Sequence, residues 1–199
     1  MFPIFFAQCK DSLVKTFSDR GVQLLLPDQF LDSPEKQKFY NDFEPEISGV
    51  FSGMLNKSER LSAVAGGFRF ISVPTDIPGE YKFMQSMGEL AKGLGVDAVL
   101  LVTNKSQVVG RKEYEFTELH LNLYGANPVL KTEGGFYPGR AYCTGLLFDS
   151  ESYYTNTSFI VLGKKQELVS KNYDGYEIFI SKLSRLMLDY LGEMINREK

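Results

Sequence analysis

Gly79-Glu-Tyr-Lys-Phe-Met-Gln-Ser-Met-Gly-Glu-Leu-Ala-Lys-Gly-Leu-Gly-Val-Asp-Ala-Val-Leu-Leu-Val-Thr103 is the stretch on which the fold turns. Met84, Met87, Leu90, Ala91 and Leu94 recur at three- and four-residue steps, the spacing of one helical face. Gly95 then stands where a left-handed C-cap is wanted, a conformation glycine adopts without a Cβ penalty. Val96-Asp97-Ala98-Val99-Leu100-Leu101-Val102 follows at once, apolar on both alternating faces from Ala98 on. Such a run fits a strand covered on both sides. The stretch predicts a helix feeding a central strand, with the other elements packed around it.

Upstream, Asp11 to Asp19 predicts a short helix ended by Gly21, and Val22 to Leu26 a compact strand stopped by Pro27. Ser33-Pro34 is a helix start: the serine hydroxyl caps free N–H groups and proline tolerates the first helical position. That helix is expected to reach Phe43. Ile47 to Leu55 is ambiguous, because Gly49 and Gly53 weaken the helix its spacing allows. Ser58 to Ala65 reads as a helix capped by Gly66-Gly67, and Phe68 to Val73 as a strand. Glu59–Val73 and Glu80–Val102 thus share a helix–glycine–strand pattern, which favours parallel neighbours with helices on the sheet.

Beyond Thr103, Leu119, Leu121 and Leu123 alternate with Glu118, His120 and Asn122 over a strand from Tyr114 to Tyr124. The phase differs at Tyr114 and Phe116, which predicts a bulge near Thr117. Tyr142–Phe148 and Ser158–Leu162 read as two further strands, antiparallel and with one face wet. In the last helix Tyr176, Phe179, Ile180, Leu183, Met187, Tyr190, Leu191 and Met194 form one apolar stripe, read as packing on the sheet. The expected class is α/β to α+β: a single mixed sheet with parallel core strands, then antiparallel strands and a long C-terminal helix.

The chain has 199 residues, net charge −3 and two cysteines. That size and an ordinary 43% hydrophobic content suit one globular domain over residues 9–199. An acidic balance argues against a nucleic-acid surface, which needs a basic face. No stretch approaches the ~20 apolar residues of a membrane span. Residues 1–8, Met1-Phe-Pro-Ile-Phe-Phe-Ala-Gln, are apolar and turn polar after Cys9. They read as the end of a bacterial signal segment cleaved after Ala7 or Gln8, or as an N-terminal arm packed on the domain. A third reading takes Phe6-Ala7-Gln8-Cys9 as a degenerate lipobox with Cys9 lipidated. The expected address is the periplasm or the exterior of a bacterium, with the cytoplasm as the alternative. Two cysteines are too few for a disulfide framework or a zinc site, and Cys143 reads as a buried thiol, with pairing to Cys9 the other option.

Leu94-Gly95-Val96-Asp97-Ala98 before a hydrophobic strand, then antiparallel strands and a terminal helix, resembles exported bacterial envelope α/β domains. The curli-secretion lipoprotein and the TolB amino-terminal domain are of that kind. The resemblance covers about 25 residues with any specificity and implies an envelope role without catalysis.

Few routes to chemistry are open. His120 is the only histidine, so any site needing two is excluded. Flanked by Glu118 and Asn122, it can be read as a general base oriented by a carboxylate, or as one residue of a solvated strand face. No Gly-x-Ser-x-Gly elbow is present, and Gly163-Lys164-Lys165 lacks a phosphate-loop frame. Asp149, Glu151 and Asn156 lack the alternating spacing of a calcium loop, so neither metal nor cofactor is expected. Phe136, Tyr137, Tyr153 and Tyr154 on glycine-rich or polar loops either cap the core or offer rigid contact surface to another protein. The sequence therefore predicts a non-catalytic envelope component that binds a protein or assembles with itself. Its membrane link would run only through a lipid on Cys9. The alternative is a hydrolase or small-ligand binder using the Glu118–His120–Asn122 face, so enzymatic activity stays open.

Overall fold

The structure, a computed structural model, describes residues 2–46, 67–69, 71, 81–109, 113–128, 130–132, 141–143, 145–150, 153–162, 168–171 and 174–197. Its elements in chain order are α1 (Phe2–Ser18), α2 (Pro27–Phe30), α3 (Pro34–Asp42), α4 (Tyr81–Leu94), β1 (Ala98–Val109), β2 (Glu113–Gly125), β3 (Leu130–Thr132), β4 (Ala141–Cys143), β5 (Leu146–Asp149), β6 (Tyr153–Leu162), β7 (Leu168–Lys171) and α5 (Asp174–Arg197). These elements gather into two compact units. One comprises residues 1–24, 102–121 and 150–199; the other comprises residues 25–101 and 122–149.

The second unit is built on α4. Phe83, Met84, Met87, Leu90 and Leu94 bury one face of this helix, joined by Tyr40, Phe43 and Tyr124 in one apolar cluster. Phe83 meets Tyr124 edge to face, with ring centroids 5.5 Å apart, a geometry the ring quadrupoles favour. The helix ends as its sequence predicts. Gly95 has φ +71°, its N–H donates to the Lys92 carbonyl (3.1 Å), and the Val96 N–H donates to Ala91 (3.0 Å). Together these bonds form a Schellman motif. Helix α3 also starts as predicted, with Pro34 in the first turn and Ser33 Oγ accepting from the Lys36 N–H at 3.2 Å. Tyr40 on α3 carries a clasp: its hydroxyl accepts from the Arg69 backbone N–H, and its carbonyl from Arg69 Nη1, both at 2.8 Å.

The expected parallel core is overturned. Every strand pairing whose register is described is antiparallel: β2 with β5, β2 with β6, β3 with β4, and β6 with β7. Strand β1 neighbours β2, and residues 110–112 alone separate them. A parallel crossover takes a dozen residues or more. The expected strand Phe68–Val73 is also missing where it is described, since Phe68, Arg69 and Ile71 are not in a strand. The Arg69 N–H is spent on a phenol rather than a ladder. Nor is β1 central: the sheet order is β1-β2-β6-β7, with β5 also on β2, so β2 is the hub. Among the described residues the fold is five helices with antiparallel sheet.

In the first unit β2 pairs with β6 from Glu113 to Leu119. The register slips between Phe116 and Glu118, which places the predicted irregularity at Thr117. Strand β6 begins at Tyr153 rather than Ser158, and the expected strand 142–148 is divided into β4 and β5, in different sheets. Val22–Leu26 forms no strand. Helix α1 is longer than the predicted Asp11–Asp19 segment and passes through residues 8 and 9 without a break. Leu13 and Phe17 are its buried described side chains, and its packing partner is α5. Helix α5 thus packs on another helix, a contact its apolar stripe alone does not predict. It buries Ile180, Leu183, Met187 and Leu188, while Tyr190, expected in the apolar stripe, is 47% exposed.

Candidate functional site

Glu118, His120 and Asn122 occupy alternate positions of β2, as the strand period requires. The expected wet face is not what the strand presents there. His120 and Asn122 are buried, as are Leu121, Leu123 and Tyr124, so this part of β2 is covered on both faces. The division between the two units falls between Leu121 and Asn122. His120 and Asn122 thus belong to different units. The Glu118 side chain lies outside the described residues, although its backbone stands opposite Tyr154 on β6.

In the second unit Asn122 stands opposite Asp149 of β5, and its Nδ2 donates to Asp149 Oδ1 at 3.1 Å. Asn122 is 1% exposed, and its Oδ1 has no protein partner among the described residues. Tyr124, two residues on, is fully buried. Burial pushes its phenol well above the ordinary value, and the Asp149 carboxylate adds to the effect. Sequence reading singled out Asn122 and Asp149 separately, for different chemistries. Their pairing is a long-range register effect with no local signal.

In the first unit Ser150 makes a reciprocal clasp. Its Oγ accepts from the Leu121 N–H at 2.8 Å, and its N–H donates to the Leu121 carbonyl at 3.1 Å. Ser150 is buried, and this use of its hydroxyl is structural. No cluster of three or more metal-ligating side chains occurs among the described residues. The described contacts of Asn122 and Ser150 are hydrogen bonds within the protein.

Among the described residues, an open surface lies elsewhere. A groove of about 500 Å³ runs beside α5, lined by Ser12 of α1 and by Ile178, Lys182, Arg185, Leu186 and Asp189. Ile178 is 65% exposed and Leu186 51% exposed. Asp189 forms an ion pair with Arg20, just past the end of α1. The sequence reading missed Ile178 and Leu186 because they fall outside the single apolar stripe it traced.

Of the aromatic residues expected on loops, Phe136 and Tyr137 lie outside the described residues. Tyr153 and Tyr154 sit on β6, opposite Leu119 and Glu118 of β2, and their side chains lie outside the described part. Cys9 falls in α1 and Cys143 in β4, again without described side chains. No family model matches the chain, and neither a curated protein nor a solved structure matches it. No helix among the described residues is long and apolar enough to cross a membrane.

Proposed function

We propose that this chain is a non-catalytic component of the bacterial cell envelope, periplasmic or secreted, that binds a protein partner or assembles with itself. The observation that carries the interaction reading is the outer face of α5, where Ile178, Leu186 and Tyr190 are each about half exposed or more. Large apolar side chains grouped on one surface favour contact with another protein over contact with water. The apolar residues 1–8 and the Leu94-Gly95-Val96-Asp97-Ala98 turn support the envelope address. Cleavage after Ala7 or Gln8, or lipidation of Cys9, would leave the buried Leu13 and Phe17 of α1 in the mature chain.

The rival reading, a hydrolase or small-ligand binder using Glu118, His120 and Asn122, gains nothing from a His120 and an Asn122 that are both buried. Fractionation of the native host with mass spectrometry of the mature amino terminus tests the address. An intact Met1 in the cytosolic fraction sinks it. Capture from envelope extract tests the interaction, with wild type set against a variant carrying serine at 136, 137, 153, 154 and 190. Neither partner nor self-association in the wild type would overturn the reading.

A further inference from the structure

Helix α5 divides its surface sharply. Ile180, Leu183, Ser184, Met187 and Leu188 are buried, whereas Ile178, Leu186 and Tyr190 are exposed. At 100° per residue Ile178, Lys182, Leu186 and Tyr190 form a continuous i, i+4 ridge. From Ile178 to Tyr190 this ridge spans about 18 Å at 1.5 Å per residue. Charges flank it in a definite order. Lys182 and Arg185 precede or adjoin Leu186, and Asp189 and Glu193 follow it. Between Lys182 and Glu193 the basic half of the face therefore lies on one side of Leu186 and the acidic half on the other.

That order is self-complementary. A twofold axis perpendicular to the helix near Leu186 turns the basic half of one copy onto the acidic half of the other. We propose that α5 packs antiparallel on α5 of a second copy of this chain, about such an axis. In the pairing, Leu186 of each copy lies at the centre and Ile178 and Tyr190 extend the apolar contact outward. Lys182 and Arg185 of one copy face Asp189, Tyr190 and Glu193 of the other. A parallel arrangement would set like charges together, which disfavours a partner by electrostatic repulsion. An isologous contact of this kind closes on itself, because the same patch is used twice. The Arg20 ion pair does not consume Asp189: its side chain is 52% exposed, and a carboxylate accepts more than one donor. The groove beside Leu186, opened between α5 and Ser12 of α1, gives space for side chains of the second copy.

This inference rests on the reading of the chain as a protein that associates, and selects self-association through one face. Sedimentation equilibrium of the full chain, from micromolar to millimolar concentration, tests it. The wild type is expected to form a dimer. Leu186→Ser is expected to weaken it by about tenfold or more, as for a residue at the centre of an interface. Lys182→Glu with Arg185→Glu in one variant, and Asp189→Lys with Glu193→Lys in another, should each be monomeric where the wild type is dimeric. An equimolar mixture of the two should recover a heterodimer, since between residues 182 and 193 one face is then acidic and the other basic. Circular dichroism of each variant verifies that α5 is retained. If the change at Asp189 unfolds the chain by removing the partner of Arg20, Lys182→Glu mixed with Glu193→Lys makes the same exchange.

A wild type that stays monomeric at every concentration overturns the inference. So does a dimer that survives Leu186→Ser and the charge reversals undiminished, or folded reversed variants that fail to associate when mixed. In the first case capture from envelope extract still decides the broader interaction reading. In the second, self-association stands but through a different face.

Discussion

Gly88 of α4 lies so close to Pro128 that a Cβ on the glycine would stand 2.4 Å from the proline Cδ and 3.2 Å from the Gly125 carbonyl oxygen. This is where α4 meets the turn that follows β2, within one unit. Two backbone bonds hold that turn. The Ala126 N–H donates to the Asp97 carbonyl and the Gly125 N–H to that of Gly145, both at 2.9 Å. A proline ring between fixed backbone atoms has little room to move.

Gly88→Ala is therefore expected to destabilise the chain by about 1–3 kcal/mol, the usual range for overpacking a tight contact. Gly192 supplies the opposite sign. It too lies in a helix, α5, but a Cβ there meets nothing within 4 Å. Gly192→Ala should stabilise by about 0.5–1 kcal/mol through helix propensity alone. Urea denaturation of the two variants measures both, and equal effects of the same sign would refute the packing argument at Gly88.

Gly95 tests backbone strain separately from packing. Its φ is +71° and its nearest outside atoms are the far end of Lys36, at 3.8 Å and beyond. A side chain fits in space but not in conformation. Gly95→Ala should cost about 1–2 kcal/mol, and Gly95→Asn less, because asparagine tolerates the left-handed region. Thermal melts of the two variants decide it: the alanine chain should melt lower.

These two glycines also show what the sequence made legible. Gly95 was readable because a C-cap is a local event: an apolar stripe ends and a glycine follows. The Ser33 cap and the slip at Thr117 are local in the same way, the latter because alternation changes phase. Gly88 was not readable as a contact, since Pro128 is brought to it only by tertiary folding. The apolar run of β1 ends at Val102, because Thr103-Asn104-Lys105-Ser106-Gln107 carries no apolar alternation, although the strand continues to Val109. Parallel or antiparallel pairing is likewise non-local, and a short glycine-capped link from helix to strand suits both.

The burial of the polar positions on β2 is non-local for a related reason. Leucines at 119, 121 and 123 alternating with Glu118, His120 and Asn122 describe a half-wet strand, yet whether the polar face is covered depends on elements far away in sequence. On α5 the traced stripe took in Tyr190 and left out Leu188, two residues apart on opposite sides of a boundary. Tyrosine, apolar in its ring and polar at its tip, suits a surface position as well as a buried one.

Ser150 gives a sharper energetic test. Leu121 is fully buried and Ser150 nearly so, so the Leu121 N–H depends on the serine oxygen 2.8 Å away. Ser150→Ala leaves a buried donor without that acceptor, at a cost of about 1–3 kcal/mol. Ser150→Thr keeps the hydroxyl and should recover part of the loss. Amide exchange at Leu121 gives the site-specific readout: its protection should fall in the alanine variant more than at neighbouring residues of β2. Unchanged protection would mean that the hydroxyl is not what secures this N–H.

Tyr124 is expected to contribute to the alkaline limit of stability. Burial raises its phenol above the unfolded value of 10.0, and the neighbouring Asp149 carboxylate raises it further by disfavouring a second negative charge. Tyr40 is raised as well, chiefly by burial, with the Arg69 hydrogen bond and charge acting in the opposite direction. For a phenol whose folded pKa lies above its unfolded pKa, the folded state keeps its proton after the unfolded state has lost it. Unfolding then releases a proton, so stability falls as pH rises. The contribution is complete below about pH 10 and is lost progressively from there toward the folded value. Urea midpoints measured between neutral pH and about pH 11 should hold steady with respect to these two groups and then decline through the tyrosine range. Tyr124→Phe keeps the ring against Phe83 but has nothing to ionise, so its alkaline decline should be shallower than that of the wild type. Asp149→Asn removes the carboxylate without removing the burial, and should move the onset of the Tyr124 titration to lower pH in the folded chain. A wild-type decline with the same slope as that of Tyr124→Phe would assign the alkaline limit to groups other than this buried phenol.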